Sequence, residues 1–290
     1  MSGAVAGRPL IATAPGYDAA ILCFAQASLA QTAHRYLREA VGAGAVVALD
    51  SVPVSPQCGP GCAAHCETWW SWFERAFDGS SRPAEMPKSA HPALANLPLA
   101  LVAIPETLDG YLRQIGDKSR NMIRKALRAG YSVRPFVSAG YLDDIFAINT
   151  SKEERGGTPM PPSYRQYPRP MEVAPERHCA RHGIANIGCF IGETLVAYCN
   201  LHILGELAII NRILGHGAHL RHGIMNLLVR GIVEYGVSRY PLIRAVNYLT
   251  LHSGRAGIDA FKRSVGFRSW AVLLCQGSAG HAIVGAAAHG

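Results

Sequence analysis

Chemically capable side chains gather in a few short runs of this 290-residue sequence. Glu153 and Glu154 stand side by side in Thr150-Ser151-Lys152-Glu153-Glu154-Arg155, at the end of an expected helix and just before a loop rich in Gly and Pro. Carboxylates at a helix C-terminus oppose the helix dipole, so a pair there points to base catalysis or recognition of an amine, against local pairing with Lys152 and Arg155. The following loop, residues 156–175, carries Met160, Tyr164 and Tyr167. Arg155 leads into it, and a loop of this length in a compact domain suits a lid over a site. Farther on, Asn247-Tyr248-Leu249-Thr250-Leu251-His252 interleaves polar with apolar groups. A regular strand there would put Tyr248 and Thr250 on one face and Asn247 and Leu249 on the other. Tyr248 and His252 are then acid or base candidates, with a purely structural Tyr or His as the alternative.

A second set of residues suits phosphate. Arg120, Arg124 and Arg128 recur at i, i+4 and i+8, which puts three guanidinium groups on one helix face. Between Lys118 and Leu142 there are six basic residues and no acidic one. The two readings are contact with a polyanion and a solvated basic face. His216, His219 and His222 recur every three residues in Gly215-His216-Gly217-Ala218-His219-Leu220-Arg221-His222-Gly223-Ile224-Met225, just where a helix is expected to begin. Free backbone N–H groups at such a start form an anion site, so His216, His222, Gly223, Ile224 and Met225 are candidates for holding phosphate. No metal is expected at these histidines, which have no Cys or carboxylate close by. Cys58, Cys62 and Cys66, beside His65, have ligand-like density but no obvious partner pair. A structural zinc there is the weaker alternative to plain thiols.

These residues need elements to position them. Apolar runs and turn signals predict a strand, a helix and a strand between residues 19 and 49, then a Pro-, Gly- and Cys-rich loop. A Pro- and Ser-rich stretch at 79–98 divides an N-terminal region, residues 1–94, from a larger domain, residues 95–290. In that domain we expect a strand at 99–104, one long helix from Thr107 to Ala129 stopped by Gly130, a strand at 131–137 and a helix from Tyr141 to Glu154. Three strands follow, Ala185–Phe190, Leu195–Ile203 and Leu207–Leu214, divided by Gly192-Glu193 and Gly205-Glu206. A helix at 222–239, a strand at 243–251, a helix at 257–265 and a strand at 270–274 complete the order.

Composition bounds the function. The chain is 49% hydrophobic and 17% charged, which suits a globular core and excludes a disordered chain. A net charge of +8 is compatible with polyanionic partners. No apolar run is long enough to span a membrane, and most of the cysteines sit singly in apolar segments as reduced thiols do, so a cytoplasmic protein with no membrane partner is expected.

From about residue 95 the order of elements resembles the GNAT superfamily of acyltransferases, where a central strand splays from its neighbour and the next loop and helix start receive the donor's phosphates. The implied fold is α/β (α+β): a mixed, mostly antiparallel central sheet flanked by helices, with residues 1–94 as an α/β extension. In the register of the family's coenzyme A loop, Gly223 and Leu228 match, while Leu220 and Met225 stand where a basic and a small residue are usual. Gly257-Ile258-Asp259-Ala260-Phe261-Lys262-Arg263-Ser264-Val265-Gly266-Phe267 looks like the family's helix and Gly-Phe ending, with Lys262 where acetyltransferases often carry Tyr. The Phe261-Lys262 pair and the Arg-rich run from Leu112 to Ala126 are similar to the Fem-type branch, which takes amino acids from aminoacyl-tRNA.

The resemblance implies an N-acyltransferase that joins an activated acyl group to a small-molecule amine by direct transfer, without a tightly bound cofactor. The donor it implies is aminoacyl-tRNA, with acyl-coenzyme A (acetyl-coenzyme A) as the alternative. A non-catalytic nucleic-acid-binding module on a degenerate GNAT fold is the second alternative. Lys262 would supply positive charge to the oxyanion or the leaving oxygen, unless it is a surface lysine of an amphipathic helix. Glu153, Glu154, Tyr248 and His252 are the other catalytic candidates. Arg155, Met160 and Tyr164 would face the acceptor, and tRNA would be the macromolecular partner.

Overall fold

A computed structural model describes residues 18–23, 46–50, 99–155, 157–171, 182–204, 207–239, 243, 245–251 and 255–275. The expected N-terminal helix, Cys58, Cys62, Cys66, Gly156, Gly205-Glu206 and His252 lie outside these residues.

Eleven strands and five α-helices alternate along the described chain. They are β1 (Asp18–Cys23), β2 (Val46–Asp50), β3 (Leu99–Ala103), α1 (Leu108–Gln114), α2 (Asp117–Arg128), β4 (Tyr131–Pro135) and α3 (Leu142–Thr150). A small hairpin, β5 (Glu154–Arg155) and β6 (Thr158–Pro159), precedes β7 (His182–Ile191), β8 (Thr194–Leu204) and β9 (Leu207–Gly215). The order ends with α4 (Ile224–Ser238), β10 (Ala245–Thr250), α5 (Ala256–Ser264) and β11 (Arg268–Cys275). Nine strands form one sheet in the order β2-β1-β11-β3-β10-β9-β8-β7-β4. Between β11 and β4 every pairing is antiparallel except that of β9 with β10. β1 and β2 extend the sheet in parallel beyond β11.

The sheet's faces explain the near-continuous apolar runs of β7 to β9, since strands covered on both sides have no polar face to show. On one face Ile187, Cys189, Ala197, Cys199, Leu201, Ile210 and Ile213 pack with Ile123 of α2 and Leu227, Leu228 and Ile232 of α4. On the other, Phe190, Leu195, Tyr198 and Leu214 pack with Ile145 and Ile148 of α3, and Met160, Tyr164 and Met171 lie against that cluster.

Two helices differ from expectation. The long helix from Thr107 to Ala129 is two helices, because Ile115 and Gly116 are extended (ψ 151° and 160°). Glycine in a helix interior costs about 1 kcal/mol relative to alanine. Here Ile115, 3% exposed, turns into the core, and Arg120 donates to the carbonyls of Leu112 and Ile115 that α1 leaves open. The helix expected to reach Glu154 stops at Thr150. Glu154 lies instead in the hairpin, where Glu154 pairs with Pro159 and the Met160 N–H donates to the Glu153 carbonyl. Glu153 and Glu154 therefore do not sit in the last turn of a helix and do not oppose its dipole. Gly130 does stop α2, with φ +84°.

Candidate functional site

The parallel pair β9/β10 opens. Registered pairing joins Ala245, Val246 and Asn247 to Leu207, Ala208 and Ile209, after which β9 runs on to Gly215 and β10 to Thr250 without it. A pair that separates leaves backbone N–H and C=O groups facing a gap, and such groups need partners. This is the splay that the GNAT resemblance implies, flanked by the elements that carry the candidate residues.

On the β10 side, Asn247 shapes the strand. Its buried side chain donates through Nδ2 to the carbonyls of Ala100 (3.2 Å) and Leu249 (3.0 Å) and accepts from the Leu249 N–H at Oδ1 (3.1 Å). Leu249 is the one non-glycine residue with positive φ among the described residues, at 53°. The register against β3 also slips between Asn247 and Thr250. This bulge corrects the simple alternation expected of Asn247 to Leu251 and re-aims the side chains beyond it. Tyr248 packs edge-on to Phe267, with ring centres 5.8 Å apart.

Lys262 of α5 reaches the same ring, with Nζ 4.3 Å from its centre. Only 2% exposed, Lys262 is no surface lysine, and Asp259, one turn earlier, is 8% exposed. Burial pulls the Lys262 pKa down to about 8, partly offset by the Asp259 carboxylate and reinforced by Arg255. Burial also raises the Tyr248 pKa, while Arg155 and Arg255 oppose the shift. An ammonium near its titration point beside a phenol that keeps its proton can stabilise developing negative charge or exchange a proton.

On the β9 side, the expected acceptor loop lies against the sheet. Arg155 donates through Nη1 to the carbonyl of Ile213 (2.6 Å), in the stretch of β9 past its pairing with β10. Arg212 sets its guanidinium over Tyr164, 4.7 Å from the ring centre. Tyr198 donates to Asn149 Oδ1 (2.7 Å), and burial pushes its pKa up to about 12 against the opposing pull of Arg212. Arg155, Met160 and Tyr164 therefore do converge, whereas Glu153 and Glu154 are exposed to solvent. Arg212 and Tyr198 were not among the expected site residues. The available signal was the polar pair Asn211-Arg212 inside the otherwise apolar run of β9.

The expected donor loop is more closed than its sequence suggests. His216 to Gly223 wind as a 3-10 turn, and their amides are largely engaged. Gly217 N–H donates to Ser151 Oγ, Ala218 N–H to His216 Nδ1, His219 N–H to the His216 carbonyl and Gly223 N–H to the Leu220 carbonyl. An anion here would depend on the first-turn amides of α4, at Ile224 and Met225. Gly223 has φ +84°, and a Cβ on it would stand 2.5 Å from the Met122 carbonyl oxygen of α2. His219 Nδ1 shares a hydrogen bond with the Tyr131 hydroxyl (2.8 Å), and His216 packs against His219. Burial, then His216, His222 and Arg221, lower the His219 pKa, which favours its neutral form. Arg221 Nε donates to His222 Nε2 (3.2 Å).

The arginine row is also divided. Arg120 is committed to the end of α1 and to Asp117, whereas Arg124 and Arg128 are exposed, with Arg124 donating to Asn121 Oδ1. Lys125, between them, donates to the Arg221 carbonyl (3.0 Å) and ties the basic helix to the loop. Among the described residues no group of His, Cys, Asp and Glu is arranged to hold a metal ion, and no helix is long and apolar enough to cross a membrane.

Strand order, the opened parallel pair and the helix that follows it define a GNAT-like fold. No family model matches the chain, and no curated protein matches it in sequence. Among solved structures it is similar to FemX, with 11% identity over 59% of this chain and 58% of that one and a TM-score of 0.45. It is also similar to the C-terminal domain of a putative lysylphosphatidylglycerol synthetase from Agrobacterium fabrum (14% identity, 86% and 74% coverage, TM-score 0.39). A third likeness is to a GCN5-related N-acetyltransferase from Kribbella flavida (16%, 63% and 62%, 0.35). The chain thus spans less than two thirds of FemX and of the Kribbella enzyme.

Proposed function

We propose that this chain is an N-acyltransferase that joins an acyl group, carried as an aminoacyl ester of tRNA, to an amine. The observation that carries this reading is the buried Lys262 ammonium held against Tyr248 where β9 and β10 part. The amine nitrogen attacks the ester carbonyl and forms the C–N bond. The C–O bond to the ribose breaks, the amine loses a proton and the leaving oxygen gains one. Lys262 stabilises the charge that builds on the carbonyl oxygen or on the leaving oxygen, an effect worth about 3 kcal/mol for a well-placed donor. Transfer is direct, and no covalent enzyme intermediate is required.

Two features favour the tRNA ester over acyl-coenzyme A. The amides of the 216–223 turn are engaged, which weakens the pyrophosphate cradle, and the exposed Arg124 and Arg128 offer phosphate contacts beside that turn. Incubation with pools of charged tRNA and, separately, with acetyl-coenzyme A and an amine panel tests the reading. Deacylation of tRNA coupled to an amide product whose formation ribonuclease treatment abolishes is expected. Thiol release from acetyl-coenzyme A without tRNA would overturn the choice of donor. Lys262→Ala should slow product formation by about 100-fold while RNA binding persists. RNA binding without turnover of either donor would favour a non-catalytic nucleic-acid-binding module.

A further inference from the structure

Lys262 lies in the last turn of α5, where a helix leaves its final carbonyls open. The carbonyls of Phe261, Lys262 and Arg263 are closed by donors from the chain just beyond them. The next two are closed from other helices. Ser119 Oγ of α2 donates to the Ser264 carbonyl (2.6 Å), and the Tyr111 hydroxyl of α1 donates to the Val265 carbonyl (2.9 Å). Both side chains are buried, at 2% and 0% exposure. Asn226, in the first turn of α4, donates through Nδ2 to Ser119 Oγ (3.2 Å), which leaves the Ser119 proton to point at Ser264. Burial raises the Tyr111 pKa against the pull of Arg230, so its hydroxyl stays a donor. Gly266, with φ +95°, completes the seat, since a Cβ on it would stand 3.2 Å from Ile115 and 3.4 Å from the Tyr111 ring. The break at Ile115-Gly116 makes this seat. In one continuous helix Tyr111 and Ser119 would stand about 12 Å apart along the axis. With the chain turned between α1 and α2, both reach consecutive carbonyls of one chain end.

We propose that Ser119 and Tyr111 are positioning residues for Lys262: by holding the end of α5 they fix its ammonium over the Tyr248 ring, and Asn226 ties that placement to the first turn of α4. The catalytic meaning of this seat rests on the acyl-transfer reading, but the placement of Lys262 is measurable without turnover. A group misplaced by 1 Å can cost about 100-fold in rate, so a seat remote from the reacting atoms matters to the chemistry. The titratable and charged groups that act on Lys262 are Tyr248 of β10, Asp259 of α5 and Arg255 at the start of α5. Substitution of Ser119, Tyr111 or Asn226 leaves all three in the chain.

The test uses the full chain with Ser119→Ala, Tyr111→Phe and Asn226→Ala, and Ser119→Thr as the variant that keeps the hydroxyl. Labelling by acetic anhydride, read by peptide mass spectrometry, follows Lys262 against the exposed Lys152. In Ser119→Ala and Tyr111→Phe, Lys262 should label at least about fivefold faster relative to Lys152, and the midpoint of its pH dependence should move up from about 8 as water reaches the ammonium. In the transfer assay kcat should fall by about 10- to 100-fold in these two variants and about threefold in Asn226→Ala, with KM for both substrates within a few-fold. Ser119→Thr should stay close to the parent in both readouts. Should Ser119→Ala not fold, Tyr111→Phe, which differs by one hydroxyl, carries the same readouts. Labelling and a pH midpoint equal to the parent's in the folded variants, with only a lower urea midpoint, would reduce Ser119 and Tyr111 to structural residues and overturn the proposal. Faster labelling of Lys262 in the variants, with no transfer by the parent from any donor, would instead sink the acyl-transfer reading and leave the seat of Lys262 standing.

Discussion

Lys262 Nζ and the centre of the Tyr248 ring are 4.3 Å apart, which sets a buried ammonium of α5 against a phenol on the bulged strand β10. The ring's π face compensates part of the desolvation that burial imposes, as a cation–π contact does by roughly 1–2 kcal/mol in dry surroundings. The pair spans two elements, and Tyr248 lies in the stretch where β10 slips its register against β3, so the placement of the ring depends on backbone geometry outside α5.

The first prediction concerns pH. With its pKa lowered to about 8, Lys262 is charged at neutral pH and loses its proton well before an ordinary lysine. If its charge stabilises the oxyanion, kcat should fall as the pH rises through about 8. Lys262→Arg, which holds its charge across the range, should lack that alkaline limb. A rate that climbs through the same pH would assign Lys262 as the base instead. The effect on stability has the opposite sense. Because the folded pKa lies below the unfolded value of 10.5, the unfolded chain binds more protons between the two, and this group favours folding increasingly from about pH 8 to 10.5.

Asn247 and Leu249 give the second prediction. The positive φ of Leu249 costs about 1–2 kcal/mol for a residue with a Cβ, and the three hydrogen bonds of the Asn247 side chain hold the backbone there. Asn247→Ala should destabilise the fold by about 2–3 kcal/mol, since it leaves buried backbone groups without partners. Leu249→Gly should stay within about 1 kcal/mol of the parent, with relieved strain set against lost packing and chain entropy. Urea midpoints of the two variants check this, and an equal loss in both would mean that the bulge is not held by Asn247.

What the sequence disclosed follows from which signals are local. Strand spacing, the Gly192 turn and the Gly130 stop were legible because apolar periodicity and positive φ act over a few residues. The break at Ile115-Gly116 was not, because it depends on Ile115 entering the core and Arg120 reaching back to α1. Lys262 was noted by resemblance, but periodicity could not choose between surface and interior. That choice rests on the aromatic pair Tyr248 and Phe267, supplied by β10 and by the residue just before β11. Arg212 is not legible as a site residue because one charge beside Asn211 in a mostly apolar strand carries no period. Its partner Tyr164 lies 48 residues away in a 3-10 turn of the segment after β6.

A third prediction concerns the approach of α2 and α4 to their neighbours. A Cβ at Gly231 would stand 2.2 Å from Val133 Cγ1 of β4, and one at Gly223 would meet the Met122 carbonyl at 2.5 Å with φ already positive. Gly231→Ala should cost about 1–3 kcal/mol by overpacking, eased if Val133 is shortened. Gly231→Ala with Val133→Ala should recover part of that loss, a coupling that a double-mutant cycle measures. Gly223→Ala has no such remedy, because the obstacle is backbone. It should destabilise the protein more than Gly231→Ala does, and Met122→Ala should not rescue it.

The fourth prediction joins the sheet's core to alkaline pH. Cys189 and Cys199 are fully buried, and burial raises both thiol pKa values, that of Cys189 to about 12, against 9.0 for an exposed thiol. A group whose folded pKa is raised keeps its full contribution below the unfolded value and loses it as the pH climbs towards the folded one. Between pH 9 and 10 the unfolded chain therefore releases protons that the folded chain keeps, and each thiol lowers stability by up to about 1.4 kcal/mol per pH unit. Lys262 acts in the opposite direction over the same interval, so the two thiols together should outweigh it and unfolding free energy should fall. Cys189→Ala with Cys199→Ala should lower stability at pH 7 through the volume lost, by about 1 kcal/mol or more. Above pH 9 the same double variant should lose less with each step than the parent, because the destabilising thiol titrations are gone and Lys262 still acts in the opposite direction. Urea unfolding at pH 7, 9 and 10 measures both quantities, and parallel pH slopes for parent and variant would show that the thiols do not govern the alkaline limb.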